Sequence, residues 1–343
     1  MKQSTRNLWL QTITGIMILI LLMWQMRQPR IQELDSGYRI TMGTFARVLV
    51  VASDKKTAEQ CVKAAFETFD RVNAMMSDYD PNSLLSEVNR RAFAEPVKVD
   101  AALFEVLTAA VKYSRLSDGA FDITVGPVVQ LWRKANQTGI APEPQALTQA
   151  RQKVGYRHLL LDEDNQTVRF AVKGMLLDLG GIAKGYAIDK AIEVMRQQGA
   201  LGGMVDIGGD LACFDRPVGG QPHWYIGLQD PDEEQRYLLR LKLNNHAAAT
   251  SGDYRRFVII NDQKYSHIVN PASTQAADSL SSVTIIAPSA IQADALATAV
   301  SVLGPEKGMA LIESIDQTEA LLILSARPIK LQKTTGAANF IAD

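Results

Sequence analysis

Apolar residues recur along this chain with two periods, and the switches between them outline its elements. Ala58, Val62, Ala65, Phe66, Phe69 and Val72 repeat every three or four positions. They predict a helix that opens at the Ser53-Asp54 cap, reaches about Met76 and buries that face. The same spacing of Leu103, Val106, Leu107, Ala110 and Val111 predicts a helix over 101–116 behind Asp100, broken at Asp118-Gly119. Residues 128–132 open an apolar helix, 147–154 form a short one, and 289–303 form a helix stopped by Gly304-Pro305, with a further helix and strand to follow. Residues 38–51 look like two strand pieces around Met42-Gly43-Thr44, where Gly43 marks a bulge or close approach. Paired strands are expected at 158–161 and 168–172, and further strands at 202–214, 224–228, 237–243, 265–271 and 281–287. Residues 247–256 are a run of small residues into a turn carrying Arg255 and Arg256. Strands and helices mix without regular alternation, which argues for an α+β fold.

The stretch 172–190 organises the rest. Met175, Leu176, Leu177 and Leu179 form an apolar run suited to a buried strand, with Asp178 near its end. Gly180 and Gly181 permit a sharp turn and a close ligand approach. From about Ile182 a helix follows, with Ala187, Ala191, Val194 and Met195 on one face and Gly199 as its stop. A glycine turn feeding a helix N-terminus suits a phosphate, and Lys184 adds charge there. An ordinary strand–turn–helix corner has the same pattern. The stretch is neither a Walker loop nor a Gly-x-Gly-x-x-Gly fingerprint.

The chain of 343 residues is long enough for one large domain or two lobes, and its net charge of −1 gives no bulk attraction to nucleic acid. Cys61 and Cys213 allow one disulfide and require none, so they do not identify the compartment. Residues 8–26 carry no charge and span roughly 28 Å as a helix. This is a secretory signal or a membrane anchor. The bulky Met23-Trp24-Gln25-Met26 offers no small-x-small cleavage site, and no cysteine is near to carry a lipid, so an uncleaved anchor is favoured. The expected organisation is an anchor over 1–30, with 27–37 leading as a polar linker into a domain over 31–343.

Asp294 and Thr298 lie four apart on an alanine-rich helix and share a face. Two hard oxygen ligands suit Mg2+ completed by waters or phosphates, although a solvent-facing polar pair has the same spacing. His267 sits amid Tyr265, Ser266 and Asn270, a setting for proton transfer or for a structural histidine. Tyr79, on a polar turn, could pack or stack on a ring. In 120–127, Asp122 and Thr124 fall on one side if the segment is extended, opposite Phe121 and Ile123.

Seven motifs occur in one order: Met42-Gly-Thr, Ser77-Asp-Tyr79, 118–127, 178–189, Thr250-Ser-Gly-Asp-Tyr-Arg255, His267-Ile-Val-Asn-Pro271 and 293–299. Together they resemble the ApbE family, the FAD:protein FMN transferases. The resemblance implies a T-fold-like α+β architecture with two lobes around a flavin site. It implies FAD contacts at Met42 and Tyr79 at the flavin end, at Ala120, Phe121, Asp122, Asp178 and Lys184, and from backbone near Val269. It also implies Mg2+ held by the Gly181 carbonyl, Asp294 and Thr298. The implied reaction moves FMN from FAD to a threonine or serine hydroxyl of an acceptor protein and releases AMP. Acceptors in the family are subunits of Nqr- and Rnf-type complexes, met at the periplasmic face of the bacterial inner membrane. An alcohol needs a base, and His267 is assigned that role. Asn270-Pro-Ala-Ser-Thr-Gln275 departs from the family's Asp-Pro-x-Thr-Gly, which puts the local turn in question. An FAD pyrophosphatase, a flavin-binding or trafficking protein, and a structural envelope protein are the competing readings.

Overall fold

The computed structural model describes residues 17, 31–231, 233, 235–252, 257–260, 263–325 and 329–342. The expected anchor, apart from residue 17, and the Arg255–Arg256 pair lie outside the described residues. The chain opens with strands β1 (Gln32–Asp35), β2 (Arg39–Thr41) and β3 (Thr44–Ala52), then helices α1 (Lys55–Met76) and α2 (Leu84–Arg91). Strand β4 (Val97–Lys98), helices α3 (Ala101–Leu116), α4 (Gly126–Thr138) and α5 (Pro144–Arg151), and strands β5 (Leu159–Asp162) and β6 (Thr167–Phe170) follow. Helix α6 (Ala183–Gln197) leads into β7 (Gly202–Ile207), β8 (Asp210–Asp215), β9 (Trp224–Gln229), β10 (Tyr237–Leu243) and β11 (His246–Gly252). Strands β12 (Phe257–Ile260), β13 (Gln263–Ser266) and β14 (Leu280–Ala287), helix α7 (Ala290–Glu313), and β15 (Glu319–Leu324), β16 (Leu331–Lys333) and β17 (Ile341–Ala342) close it.

The main sheet runs β1-β3-β7-β8-β11-β14-β15-β16, with β2 folded back on β3. Every pair in it is antiparallel. Side chains alternate across it, as a period of two requires. Val48, Val50, Val205, Ile207, Ala212, Ala249, Val283 and Ile285 join the core formed with α1, α6 and α7. Met204, Leu211, Cys213, Ala248 and Ile286 face the other way, against Trp224, Leu228, Leu241 and Leu243 of the sheet β17-β10-β9. A smaller core joins α4 and α5 to Ile260 and Val269.

The two capped helices form as expected. Asp54 accepts from Thr57 N at 2.9 Å, and Asp100 from Leu103 N at 2.8 Å. Phe66 and Val111 are only half-buried. The sheet and the mixed element order confirm the α+β class.

Several expectations need correction. Residues 175–179 form no strand; Leu176 makes one isolated parallel bridge to Val125. The backbone polar groups of this run are met otherwise, Asp178 N by Ile123 O at 2.8 Å and Leu177 N by Asn89 Oδ1 at 2.7 Å. The small-residue run at 247 is the central strand β11, where Ala247 and Ala249 share a core with Ala293 and Ala297 of α7. Small side chains there let helix and sheet approach closely. The break expected at Gly304 is present, with Gly304 at φ 75° separating the first helical stretch of α7 from the further one that follows it. Residues 121–124 form a buried turn, not an extended piece, and the strand expected over 265–271 ends at Ser266. Among the described residues α7 is the one helix long and apolar enough to cross a membrane. Its Ala293, Leu296 and Val300 are buried in the core, which accounts for that composition.

Helices α6 and α7 cross at Gly185, where an added Cβ would stand 2.3 Å from Ala290 O. That atom is backbone and cannot rotate away. Gly185→Ala is expected to destabilise the fold by about 1–3 kcal/mol, read from urea unfolding. Unchanged stability would show that the crossing is not tightly packed.

Candidate active site

The crossing places the first turn of α6 against the second turn of α7. Asp189 fixes the approach, because its carboxylate accepts from Ala290 N at 2.8 Å and Ile291 N at 2.9 Å. Asp294 then meets α6 from the side: Oδ2 accepts from Gly185 N at 3.0 Å and Oδ1 from Lys184 Nζ at 3.3 Å. The positive end of α6 is thereby met by the protein's own carboxylate. Lys184 also pairs closely with Asp210 Oδ2, and Asp210 Oδ1 accepts from Thr250 N at 3.0 Å. One ammonium group thus joins α6, α7, β8 and β11.

Asp210 and Asp294 are each 3% exposed, so this cluster is nearly dry. Burial pushes the Asp294 carboxyl up to about 6, against the pull of the Lys184 ammonium. Burial alone would lower the Lys184 value, but Asp210 and Asp294 outweigh it and raise it. Asp210, Asp294 and Lys184 sum to one negative charge.

One turn along α7, half-buried Thr298 faces the glycine turn. A Cβ on Gly181 would lie 2.9 Å from Thr298 Oγ1 and 3.3 Å from Phe121 Cε2. Only glycine leaves that space open. Gly181, Lys184, Asp294 and Thr298, four of the expected site residues, therefore stand together with the Phe121 ring beneath.

Asp178 begins a second group. Its Oδ1 accepts from Gly180 N at 2.8 Å, and its Oδ2 from Arg133 Nη2 at 2.7 Å. Burial raises the Asp178 value, opposed by Arg133. Arg133 also binds Asp78, and its guanidinium carbon lies 4.4 Å from the centroid of the Tyr79 ring. Tyr79 and Asp178 are thus linked through a side chain that the sequence reading passed over.

The remaining expected residues are placed as follows. Ala120 and Phe121 are buried. Asp122 is buried too, accepting from Thr124 N at 2.8 Å and Oγ1 at 2.6 Å, and from Tyr156 N at 2.8 Å. Its carboxylate holds the 155–156 segment. Met42 occupies the β2–β3 turn at φ 48°. Val269 is buried with Val128 and Trp132, and His267 is exposed on the bend after β13. The departing 270–275 segment still turns tightly. Asn270 Oδ1 accepts from Ala272 N at 2.8 Å and Ser273 N at 3.1 Å, and Thr274 takes the left-handed backbone at φ 64°. Among the described residues no cluster of three or more His, Cys, Asp or Glu forms a metal site.

Asp210 was missed along with Arg133. Its only signal is its place after Gly208-Gly209, at the tip of a hairpin. A cleft of about 440 Å³ lies between the outer face of the main sheet and β9, lined by Tyr38, Phe45, Asp206, Gln229 and Thr250 among others. None of the expected site residues lines it.

Comparison with known proteins agrees with this architecture. The ApbE protein of Thermotoga maritima superposes with a TM-score of 0.82 at 30% identity, over 92% of this chain and 100% of that one. The flavin transferase ApbE of Vibrio cholerae gives 0.80 at 29% identity, over 90% and 99%. The fold is therefore that of the ApbE architecture. The ApbE family model matches residues 42–322, and the chain belongs to the ApbE family. Among its relatives, a FAD:protein FMN transferase of Klebsiella pneumoniae is 32% identical over 278 residues, 79% of each chain. Another, of Vibrio cholerae, is 32% identical over 292 residues, 83% of this chain and 85% of its own.

The buried cluster makes a signed pH prediction. Lys184→Met strands two carboxylates and should cost about 3–5 kcal/mol near neutral pH. A folded-state value above the usual one means that the folded protein binds a proton the unfolded chain has already lost. Stability from this group therefore rises as pH falls from about 7 toward about 4. Urea melts should show a smaller loss for Lys184→Met at about pH 5 than at about pH 8. An equal loss at both would mean that Asp294 does not titrate in this window.

Proposed function

We propose that this protein transfers the FMN moiety of FAD to a threonine or serine hydroxyl of an acceptor protein and releases AMP. The observation that carries this reading is the convergence of the Gly180–Gly181 turn, Lys184 and the Asp294–Thr298 pair in a chain whose relatives are FAD:protein FMN transferases.

The residues fit a divalent cation. Asp294 carboxylate, Thr298 hydroxyl and Gly181 carbonyl are hard oxygen donors, and the single surplus negative charge favours a cation. Bound Mg2+ would offset charge on the pyrophosphate and the leaving phosphate. Lys184, steadied by two carboxylates at the start of α6, offers its ammonium to the same phosphates. Met42, Tyr79, Ala120, Phe121, Asp178 and Val269 receive the rest of FAD. Asp122 supports the site from within, through Thr124 and Tyr156.

Exposed His267 takes the proton of the acceptor hydroxyl as that oxygen attacks the FMN-side phosphorus. The bond formed is oxygen to phosphorus, and the bond broken is the pyrophosphate link, whose electron pair leaves with AMP. The uncharged 8–26 segment anchors the protein in the bacterial inner membrane with residues 31–343 on the periplasmic face. Nqr- and Rnf-type redox subunits are the acceptors met there.

The test separates transfer from hydrolysis. With FAD, Mg2+ and an acceptor fragment, the wild type should leave AMP and a flavinylated acceptor. Free FMN with unmodified acceptor would replace the transferase by a pyrophosphatase. His267→Ala should keep FAD affinity while transfer falls by at least about 100-fold; undiminished transfer would remove His267 from the reaction.

A further inference from the structure

We infer that Arg133 is a positioning residue: it makes Tyr79 a fixed stacking platform for one ring system of FAD and holds that platform in register with the Gly180–Gly181 turn. The inference rests on the reading of this site as an FAD site.

Tyr79 is 76% exposed. Its ring is nonetheless held. Arg133 lies 4.4 Å from the centroid, covering one face and leaving the other open. The guanidinium is itself tied at both ends, by Asp78 on one nitrogen and by Asp178 Oδ2 at 2.7 Å on the other. The turn bearing Tyr79 is stiffened in turn. Ser83 Oγ donates to Ser77 O at 2.6 Å, Ser86 Oγ to Asp80 O at 2.7 Å, and Asn82 N to Asp80 Oδ1 at 2.9 Å.

The guanidinium holds one face of the Tyr79 ring. The open face then suits a flat heterocycle stacked in offset on it. The second oxygen of Asp178 holds Gly180 N at 2.8 Å. Direct contacts therefore run from the Tyr79 ring through Arg133 and Asp178 to the glycine turn. A dinucleotide with its ring on Tyr79 and its phosphates at Gly181 needs that spacing kept constant. Arg133 is placed by its neighbour, since Trp132 Nε1 donates to Thr274 O at 3.0 Å and pins α4 to the segment after His267. A lysine would keep the charge but has no flat fork to bridge two carboxylates while stacking.

The test uses the full chain with Mg2+, comparing wild type, Arg133→Lys, Arg133→Ala, Tyr79→Leu and the Tyr79→Leu/Arg133→Lys pair. FAD affinity is read from flavin fluorescence, and kcat and KM for FAD from transfer. Arg133→Lys should weaken FAD binding about ten-fold, and the loss should appear as a raised KM for FAD rather than as a comparable fall in kcat at saturating FAD. The double variant should lose no more than the weaker-binding single variant, because both remove one platform. Binding of FMN and of AMP, measured separately, assigns the ring: selective loss of FMN binding places the isoalloxazine on Tyr79, and selective loss of AMP binding places the adenine there.

Full FAD affinity in Arg133→Lys would overturn the inference, as would losses that multiply in the double variant. Equal FMN and AMP affinities in wild type and Arg133→Ala would do the same. A melting-temperature loss in Arg133→Ala that Arg133→Lys restores together with FAD binding would reduce Arg133 to a structural ion pair. If the wild type binds no FAD, the FAD reading itself falls and takes the inference with it; binding by wild type with unaffected variants removes the inference alone.

Discussion

A lysine ammonium held between two buried carboxylates governs the rest of this molecule. Removing Lys184 and both aspartates from water costs several kcal/mol per ion, which only close pairing and further hydrogen bonds offset. Those bonds come from four elements: Gly185 N on α6, Asp294 on α7, Asp210 on β8 and Thr250 N on β11. The cluster can form only if the two helices cross where they do. The crossing in turn demands a residue without a side chain at Gly185 and a carboxylate at Asp189 to receive the start of α7.

From that fixed point the site extends in two directions. Along α7, Thr298 stands one turn beyond Asp294 and reaches the space that Gly181 leaves open. Toward Tyr79, Asp178 holds the glycine turn with one oxygen and Arg133 with the other. The two ends share the six residues from Asp178 to Ala183, so a change in the glycine turn shifts both. His267 stands outside this rigid frame on an exposed bend. The Asn270–Gln275 departure does not undo the turn behind it, because the Asn270 side chain caps Ala272 and Ser273 and Thr274 adopts the conformation that a glycine would favour.

The sequence made local features plain and distant partners obscure. Helices α1 and α3 were legible because each combines a 3.6-residue apolar face with an aspartate cap that acts within three residues. Strand β11 was not, since Ala247 to Ala249 carry no alternating pattern; their size answers to α7, which lies forty residues on. The run 175–179 was read as a strand from its apolar side chains, yet its backbone is satisfied by Ile123 and Asn89. Gly181, Lys184, Asp294 and Thr298 stand in the sequence as two separate hints that only the family resemblance joins, and the fold brings them side by side. Arg133 and Asp210 escaped because their meaning lies in partners 45 and 26 positions away, respectively. No spacing rule covers such separations.

The most direct measurement is a crystal structure of the protein with FAD and Mg2+. The metal should be held by Asp294, Thr298 and the Gly181 carbonyl, with the pyrophosphate beside it, Lys184 still paired to Asp210, and His267 facing the FMN-side phosphorus. FAD seated instead in the cleft beside β9, or a metal bound away from Asp294, would contradict the account.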